Sequence, residues 1–487
     1  MEKKKDRVPV ARKRRHQPLK SKGPARPPAL FMVVNAFTSS LVAQILLFLE
    51  IRQPAAVCTF VNKACEAHVA AFYERHCPHP RPRRYLAKKL FNVVGDRGRE
   101  RIPKYILSFL DIHERVSASS CCQTLFQAAN ALPLTIKGSL NATRFAESMA
   151  AERVEARFNT TSVLELKDMD AELAVEVVNL MDTGETECFA SLSELTLRGI
   201  RGFSTSEVIF VQLIQVLFTD FVSHKLTSLE FSDLGFEDFN FKYLSKLLYD
   251  ARFPLLRALN LSKNRFSSRF MRDWSKSFHN YRFQCLEALE ICDVAMTDED
   301  TQRFVACLEN VPTLLRLCIS HNFFSVKALA MLGGEIVKGS LRNLVQLECS
   351  TITADANAMG GFLDKFHDSA GCPTLQTLEL SGNPLTNPKA IFEFARAFTR
   401  QSGSATGCWP LLQHLNLSNM SIGENGFGTL AEALQAAPEA TREITHLDIS
   451  GNAVGRGIHS FSRCLLGGSF RKIKFLSLAG ALSSLLD

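Results

Sequence analysis

The sequence predicts an α/β fold: a horseshoe-shaped leucine-patterned solenoid with parallel strands inside and helices outside, preceded by small all-α modules. Three observations predict it. The pattern Leu-x-x-Leu-x-Leu recurs along residues 160–487, with spacings of 28 to 37 residues between copies. Stretches with helical periodicity lie between the copies. Residues 29–159 carry instead two short apolar segments that are typical of amphipathic helices.

Ten strong copies of the pattern predict the strands. Together with a weaker copy around Leu164 and Leu166, they make about eleven repeats. The fourth and sixth positions are apolar and flank a polar residue, as in Leu378-Glu379-Leu380, so each copy predicts a short strand with its leucines turned inward. The strong copies begin at Leu192, Leu226, Leu256, Leu286, Leu314, Leu344, Leu375, Leu412, Ile444 and Ile473.

The segments that follow the strands have their own signals. In Phe304, Leu308 and Val311 apolar residues recur at intervals of four and three, which predicts a helix over 298–308. Residues 401–407, rich in Gly and Ser, lengthen one repeat and predict a surface loop. The ninth pattern position, where an amide can satisfy backbone groups as the strand ends, is asparagine in four copies: Asn264, Asn322, Asn383 and Asn452.

Repeats of 28 to 31 residues with a full helix resemble the ribonuclease-inhibitor-like class of leucine-rich repeats, over about residues 160–480. The resemblance implies a recognition surface and is specific to the fold rather than to one function. The sequence contains no Gly-rich phosphate loop, nucleophile elbow or paired catalytic carboxylates, so we expect no enzymatic activity and no cofactor. Fourteen scattered cysteines fit reduced thiols in the nucleus or cytoplasm.

The residue between the two inward leucines faces the concave surface, so successive strands stack these side chains into one row, here named the central row. It reads Glu165, Thr196, Glu230, Asn260, Glu290, Cys318, Glu348, Glu379, Asn416, Asp448 and Ser477, and six of the eleven are acidic. We interpret the row as a site for a basic partner. The alternative is that the charges only keep an exposed sheet face soluble. The predicted contacts are Glu165, Glu230, Asn260, Glu290, Glu348, Glu379, Asn416 and Asp448.

Charge divides the chain into a basic front and an acidic body. Residues 1–28 hold eleven Lys or Arg against two acidic residues, and the apolar periodicity of a fold is missing there, which predicts a disordered tail. Two basic clusters in it are typical of a nuclear localisation signal or a nucleic-acid-touching arm, and a merely solvated tail is the alternative. The clusters comprise Lys3, Lys4, Lys5, Arg12, Lys13, Arg14 and Arg15.

Residues 81–101 form a second basic segment, with eight Lys or Arg against two acidic residues. Only Tyr85 and Phe91 could stack on bases, so we interpret the segment as a linker and do not expect nucleic-acid binding. Just before it, Cys65, His68, His76, Cys77 and His79 cluster without the spacing of paired zinc ligands, and we expect no metal site.

Residues 29–80 and 102–159 are predicted to be two helical modules, because Ile45 to Ile51 is echoed 61 residues later by Ile106 to Ile112. The first module resembles the F-box: Phe37 to Leu49 keeps the spacing of the family's Leu-Pro-x-Glu-Leu-Leu-x-x-Ile-Leu-x-x-Leu, but lacks its proline. The resemblance implies docking to the linker protein of a cullin-type ubiquitin ligase, with the repeats choosing the substrate. Docking would use Leu41, Ile45, Leu46 and Leu49, or Ile106, Leu107 and Leu110 in the second module.

Two alternatives remain for this N-terminal region. Both modules could form a helical cap over the open edge of the repeats, which a solenoid requires. Residues Ala29 to Leu49 are also 21 uncharged, mostly apolar positions, long enough for a membrane anchor, although Asn35 and Gln44 interrupt them. The repeats would then be a scaffold or an inhibitor without a ligase connection.

Overall fold

The computed structural model describes residues 134–143, 161–181, 191–203, 207–217, 224–249, 253–280, 283–368, 372–398 and 409–481. In these segments twelve parallel strands form one sheet in sequential order, which confirms the predicted α/β solenoid. The strands are β1 Leu134–Lys137, β2 Val163–Lys167, β3 Glu194–Arg198, β4 Ser228–Ser232, β5 Ala258–Asn260, β6 Ala288–Glu290, β7 Arg316–Cys318, β8 Gln346–Glu348, β9 Thr377–Glu379, β10 His414–Asn416, β11 His446–Asp448 and β12 Phe475–Ser477.

A helix connects most described strands to the next. The helices are α1 Ala171–Met181, α2 Glu207–Leu217, α3 Asp238–Tyr249, α4 Ser268–Asn280, α5 Asp298–Cys307, α6 Val326–Lys338, α7 Ala356–Asp368, α8 Pro388–Phe398, α9 Glu424–Ala436 and α10 Gly457–Leu466. Sequence neighbours pack side by side, as α6 does with α7 and α7 with α8. Helix α5 accounts for the helix predicted over 298–308 except Leu308, which begins the 3-10 helix Leu308–Asn310. Helix α5 begins with a capping box in which Thr297 and Asp300 bond each other's backbone.

Strand β1 extends the sheet one repeat ahead of residue 160, where we predicted the repeats to begin. Its Leu134 pairs with Leu164 of β2 and its Ile136 pairs with Leu166. The segment 131–136 has the spacing of the repeat pattern, but Ala131 stands in place of the first leucine. The described sheet therefore has twelve strands, where the sequence predicted about eleven.

The inward side chains of the strands explain why the sheet forms. From Leu164 in β2 to Leu447 in β11, the apolar residues that alternate with the central row are at most 2% exposed. Burial of each such side chain contributes about 1.5–3 kcal/mol. Aromatic rings extend this core toward the helices, with the ring centroids of Phe210 and Phe236 5.0 Å apart in an edge-to-face arrangement.

The four predicted asparagines are buried and join neighbouring repeats. Asn383 Nδ2 donates to the carbonyl of Leu380 in its own repeat at 2.8 Å, while its Oδ1 accepts from the backbone N–H of Ile352 in the preceding repeat at 2.8 Å. Asn264, Asn322 and Asn452 make the same pair of bonds. The repeats that lie between those with asparagine have an apolar residue at the ninth position. Each asparagine therefore satisfies backbone groups of its own repeat and of the repeat before it.

Every described strand is followed, within three residues, by a residue with positive φ. Nine of these twelve residues are Gly, Asp or Asn, the types that reach the left-handed region most readily. The chain therefore turns away from the sheet at the same place in each repeat. The residues are Gly138, Asp168, Gly199, Asp233, Lys263, Asp293, His321, Thr351, Gly382, Asn419, Gly451 and Gly480.

Candidate functional site

The open face of the sheet, defined here as the side opposite the buried leucines, carries the central row. The parallel register pairs Glu165 with Thr196 and continues unbroken to Asp448 and Ser477. All eleven residues of the central row are aligned, as the repeat spacing predicts, and β1 adds Thr135 ahead of Glu165. The predicted contact residues thus lie on one continuous surface.

Two further rows flank the central row on the open face. The upstream row, two residues before the central one, reads Val163, Glu194, Ser228, Ala258, Ala288, Arg316, Gln346, Thr377, His414, His446 and Phe475. The downstream row, two residues after it, reads Lys167, Arg198, Ser232, Ser262, Cys292, Ser320, Ser350, Ser381, Ser418, Ser450 and Ala479.

Serines of the downstream row bond one another across repeats. Ser262 Oγ accepts from the backbone N–H of Cys292 at 3.0 Å, and Ser320 Oγ accepts from that of Ser350 at 3.0 Å. Ser381 Oγ donates to Ser350 Oγ at 2.8 Å. These hydroxyls therefore stabilise the stacking of neighbouring repeats.

The balance of charge changes along the open face. On β2 and β3, Lys167 and Arg198 balance Glu165 and Glu194, and Glu165 is matched by Lys167 Nζ at 3.0 Å and by Thr135 Oγ1 at 2.7 Å. Although burial raises the pKa of Glu165, these two partners outweigh it and lower the pKa. From β4 to β12, the three rows of the described strands hold five carboxylates and one guanidinium, so this part of the face is acidic.

Arg316 is the cation in the acidic part. Its Nη1 lies 2.9 Å from Glu290 Oε1 on β6, and its Nη2 lies 3.2 Å from Glu348 Oε1 on β8. Burial acts to lower the pKa of the Arg316 guanidinium, but the two carboxylates raise it overall. Burial raises the pKa of Glu290, and Glu348 and Glu230 add to the rise against the opposing effect of Arg316. One arginine thus does not offset the crowding of carboxylates.

Further along, Glu379 and Asp448 continue the acidic surface. Burial raises the pKa of Glu379, and Glu348 and Asp448 raise it further, although a hydrogen bond with Asn416 acts in the opposite direction. Asp448 Oδ1 accepts from the backbone N–H of Ser450 at 2.9 Å. The raised pKa shows that the ionised form of Glu379 is destabilised by burial and by its acidic neighbours. A cation that approaches stabilises this ionised form, so the region favours a positively charged ligand.

Aromatic side chains border the acidic surface at its C-terminal end. The rings of His414 and His446 stack with centroids 4.2 Å apart and planes 7° apart, and the ring of Phe475 follows 6.0 Å from that of His446. Burial and the neighbouring His446 lower the pKa of His414. The strip offers flat apolar surface beside the carboxylates, on which a basic side chain's methylenes or guanidinium can lie.

Sequence reasoning missed the upstream row, including Arg316 and the two histidines. The signal was available, because residues two positions apart on a strand share a face. The sequence prediction considered only the residue between the two leucines, but the open face is three side chains wide. It also made the centre of the face more acidic than it is, because Arg316 lies between Glu290 and Glu348.

Several segments with sequence-based predictions lie outside the described residues. They are the basic clusters of residues 1–28, the F-box-like docking residues, the apolar stretch 29–49 and the Cys/His cluster of 65–79, where no metal site is expected. Within the described segments, none of the helices is both long and apolar enough to cross a bilayer. Nor do three His, Cys, Asp or Glu side chains of those segments come together as potential metal ligands.

Twelve parallel strands with a helix after most of them, joined by buried asparagines, define a leucine-rich-repeat solenoid. A family model described as a leucine-rich repeat matches residues 371–388, which include β9. No curated protein matches the sequence. Among solved structures, an internalin from Listeria monocytogenes is similar at 15% identity with a TM-score of 0.28, covering 60% of this chain and 83% of the internalin.

Proposed function

We propose that the chain is a non-catalytic protein-recognition module of the ribonuclease-inhibitor-like type, whose open face binds a basic segment of a partner protein. The observation that carries the proposal is the half-buried, crowded state of the carboxylates between β6 and β11. Burial and like charges raise the pKa of Glu290 and of Glu379. A lysine or arginine from a partner would relieve that repulsion, whereas the purely solubilising alternative does not require half-burial.

The spacing of the carboxylates suggests what the segment looks like. Glu230, Glu290 and Glu348 lie on β4, β6 and β8, and Glu379 and Asp448 lie on β9 and β11, so each set recurs at every second strand. Neighbouring strands are ~4.8 Å apart, and a peptide in the polyproline II conformation advances ~3.1 Å per residue with about three residues per turn, so two strands match about three residues. Such a segment, running across the strands with a basic residue at every third position, would turn its cations to the same side and place each one near a carboxylate.

The test uses a synthetic peptide with lysine at every third position and an isomer with the same lysines contiguous, titrated into the full-length protein. The proposal expects tighter binding of the spaced peptide. The neutralised variant Glu348→Gln, Glu379→Gln and Asp448→Asn should weaken it about tenfold or more, at roughly 0.5–1 kcal/mol per charge pair. Control substitutions Glu176→Gln and Glu432→Gln, exposed on α1 and α9, should leave binding unchanged. Equal affinity of the neutralised variant would contradict the proposal.

We further propose that the partner is the substrate of a cullin-type ubiquitin ligase, for which this chain is the adaptor, in the nucleus or the cytoplasm. The support is the sequence of residues 37–49, which keeps the spacing of the F-box, placed ahead of the repeats. The test is affinity purification of the tagged chain beside the variant Leu41→Asp, Ile45→Asp and Ile106→Asp. Recovery of a cullin and its linker with the unchanged chain alone supports the adaptor role. Their absence from both samples indicates a scaffold or inhibitor.

A further inference from the structure

Two cysteines of adjacent repeats meet on the open face. Cys318 belongs to the central row on β7, and Cys292 belongs to the downstream row, two residues after the end of β6. Their Sγ atoms are 2.6 Å apart, and both are free thiols. Ordinary non-bonded contacts lie at ~3.5–4.0 Å, and a disulfide bond measures about 2.05 Å. The two sulfur atoms therefore lie much closer than two side chains that merely pack together.

The backbone of the sheet holds this pair in place. The N–H of Ile291 donates to the carbonyl of Cys318 at 2.9 Å, and the N–H of Asp293 donates to that of Ser320 at 3.1 Å, so hydrogen bonds flank Cys292 on both sides. Glu290 is in register with Cys318, so Cys292 lies two residues further along and the two cysteines are diagonal neighbours whose side chains reach toward each other. A disulfide requires the Sγ atoms to approach from 2.6 Å to about 2.05 Å, a movement of roughly half an ångström.

The surroundings give the two thiols different roles. Cys292 is partly exposed, whereas Cys318 is 5% exposed. The hydrogen bond with Cys318 lowers the pKa of the Cys292 thiol, with smaller help from Ser320 and Ser262 and against the effect of burial. The same hydrogen bond, together with burial and Glu348, raises the pKa of Cys318. Cys292 is thus both the more exposed and the more readily ionised of the two sulfurs, and the one that an oxidant reaches first.

We propose that Cys292 and Cys318 are a modification site that forms a reversible cross-strand disulfide, with hydrogen peroxide as the oxidant. The Cys292 thiolate attacks one peroxide oxygen, the O–O bond breaks, and hydroxide leaves, which gives a sulfenic acid on Cys292. The Cys318 sulfur then attacks the Cys292 sulfur, the S–O bond of the sulfenic acid breaks, and the S–S bond forms. The Cys318 proton and the hydroxide released from the sulfenic acid form water. A reducing dithiol restores both thiols.

The disulfide would change the acidic surface at its centre. In the reduced chain the single Cys318 proton is shared between Cys292 Sγ and Glu348 Oε2, which lies 3.1 Å from Cys318 Sγ, and the oxidised sulfur has no proton to donate. Glu348 loses a donor and leaves more of its charge for a ligand. On this basis, which rests on the proposed function, oxidation increases the affinity of the open face for the spaced lysine peptide.

The experiment treats the full-length protein with hydrogen peroxide, blocks free thiols and maps peptides without reduction. The expected result is a 292–318 peptide pair lighter by two hydrogen atoms, which dithiothreitol separates. In Cys318→Ser, whose hydroxyl keeps a hydrogen-bond donor beside Cys292 but cannot form a disulfide, dimedone should label the sulfenic acid that accumulates on Cys292. Cys285→Ala, which removes another partly exposed cysteine, should still form the 292–318 pair.

Oxidation of Cys285 without a 292–318 pair, or an unlabelled Cys292 in Cys318→Ser, would overturn the modification site. Titration of the spaced lysine peptide into reduced and oxidised protein then tests the consequence for binding, with a several-fold gain expected on oxidation. Equal affinity of the two forms would overturn that consequence. Failure of the reduced protein to bind the peptide would count against the proposed function and leave the disulfide result standing.

Discussion

Asn383 Nδ2 donates to the carbonyl oxygen of Cys349 at 2.7 Å, reaching from its own repeat into the one before it. The same amide accepts from the backbone N–H of Ile352 and Thr353 through Oδ1. All of these groups are buried, so water cannot replace the amide when it is removed. A side chain at the end of one strand therefore stabilises the interface between two repeats.

Asn383→Ala should lower the free energy of unfolding by about 3 kcal/mol or more, because unsatisfied buried backbone groups cost roughly 1–3 kcal/mol each. Urea denaturation followed by circular dichroism measures the change. Asn425→Ala, on the exposed surface of α9, is the matched control and should change stability little. If Asn383→Ala lost no more stability than Asn425→Ala, neighbouring groups would have replaced the hydrogen bonds of the Asn383 amide.

Two glycines of neighbouring helices should respond to alanine in opposite directions. A Cβ at Gly457, at the start of α10, would lie 2.8 Å from the backbone carbonyl oxygen of Glu424, whereas a Cβ at Gly428, inside α9, meets nothing within 4 Å. Gly457→Ala should destabilise the protein by roughly 1–3 kcal/mol, because the backbone of α9 must move. Gly428→Ala should stabilise it by about 0.5–1 kcal/mol through helix propensity.

Thermal unfolding of the two glycine variants and of the unchanged protein measures the change in stability that each substitution causes. Since the two substitutions add the same methyl group to adjacent helices, a difference in sign isolates the close approach of α9 and α10. Equal effects would mean that this approach does not limit the packing of the last repeats.

Features that depend on residues close together in the sequence could be predicted, whereas contacts between different repeats could not. The alternation that places Glu379 on the open face is local, so the central row was predicted correctly. The asparagines were predicted to satisfy backbone groups, but their partners in the preceding repeat depend on the inter-repeat register. The pairing of Cys292 with Cys318 was missed for the same reason, because it joins residues of different rows on different repeats.

Glu379→Gln should stabilise the fold at neutral pH. The pKa of Glu379 is raised in the folded state, mainly by burial, so its ionisation costs folding free energy. That cost is fully present above the raised folded pKa and disappears as the pH falls toward the unfolded value of about 4.3. The gain from Glu379→Gln should therefore shrink between neutral pH and that value. Chemical denaturation at several pH values measures it, with the exposed Glu432→Gln as control.

A gain in stability from Glu379→Gln that does not depend on pH would contradict this assignment, because it would come from packing rather than from ionisation. A loss of stability at every pH would show that the carboxylate makes stronger hydrogen bonds than the amide.

Arg316→Gln should lower the stability of the fold and raise its affinity for the basic peptide. Arg316 joins Glu290 and Glu348, and its removal leaves two half-buried carboxylates facing each other. Stability at neutral pH should fall by about 1 kcal/mol relative to the unchanged protein, in the range of partly exposed ion pairs. Because the pKa of Glu290 is raised, this difference should shrink as the pH falls and Glu290 gains a proton. Affinity for the spaced lysine peptide should rise several-fold, because a cation of the chain no longer competes with those of the ligand.

Arg442→Gln is the matched control for Arg316→Gln. Arg442 also faces two carboxylates, with Glu439 at 3.5 Å and Glu443 at 3.8 Å, but it lies in the connection before β11 and outside the three rows of the open face. Its substitution should leave the affinity for the peptide unchanged. If Arg316→Gln also left affinity unchanged while lowering stability, Arg316 would be a structural bridge and the centre of the open face would not be where the basic segment binds.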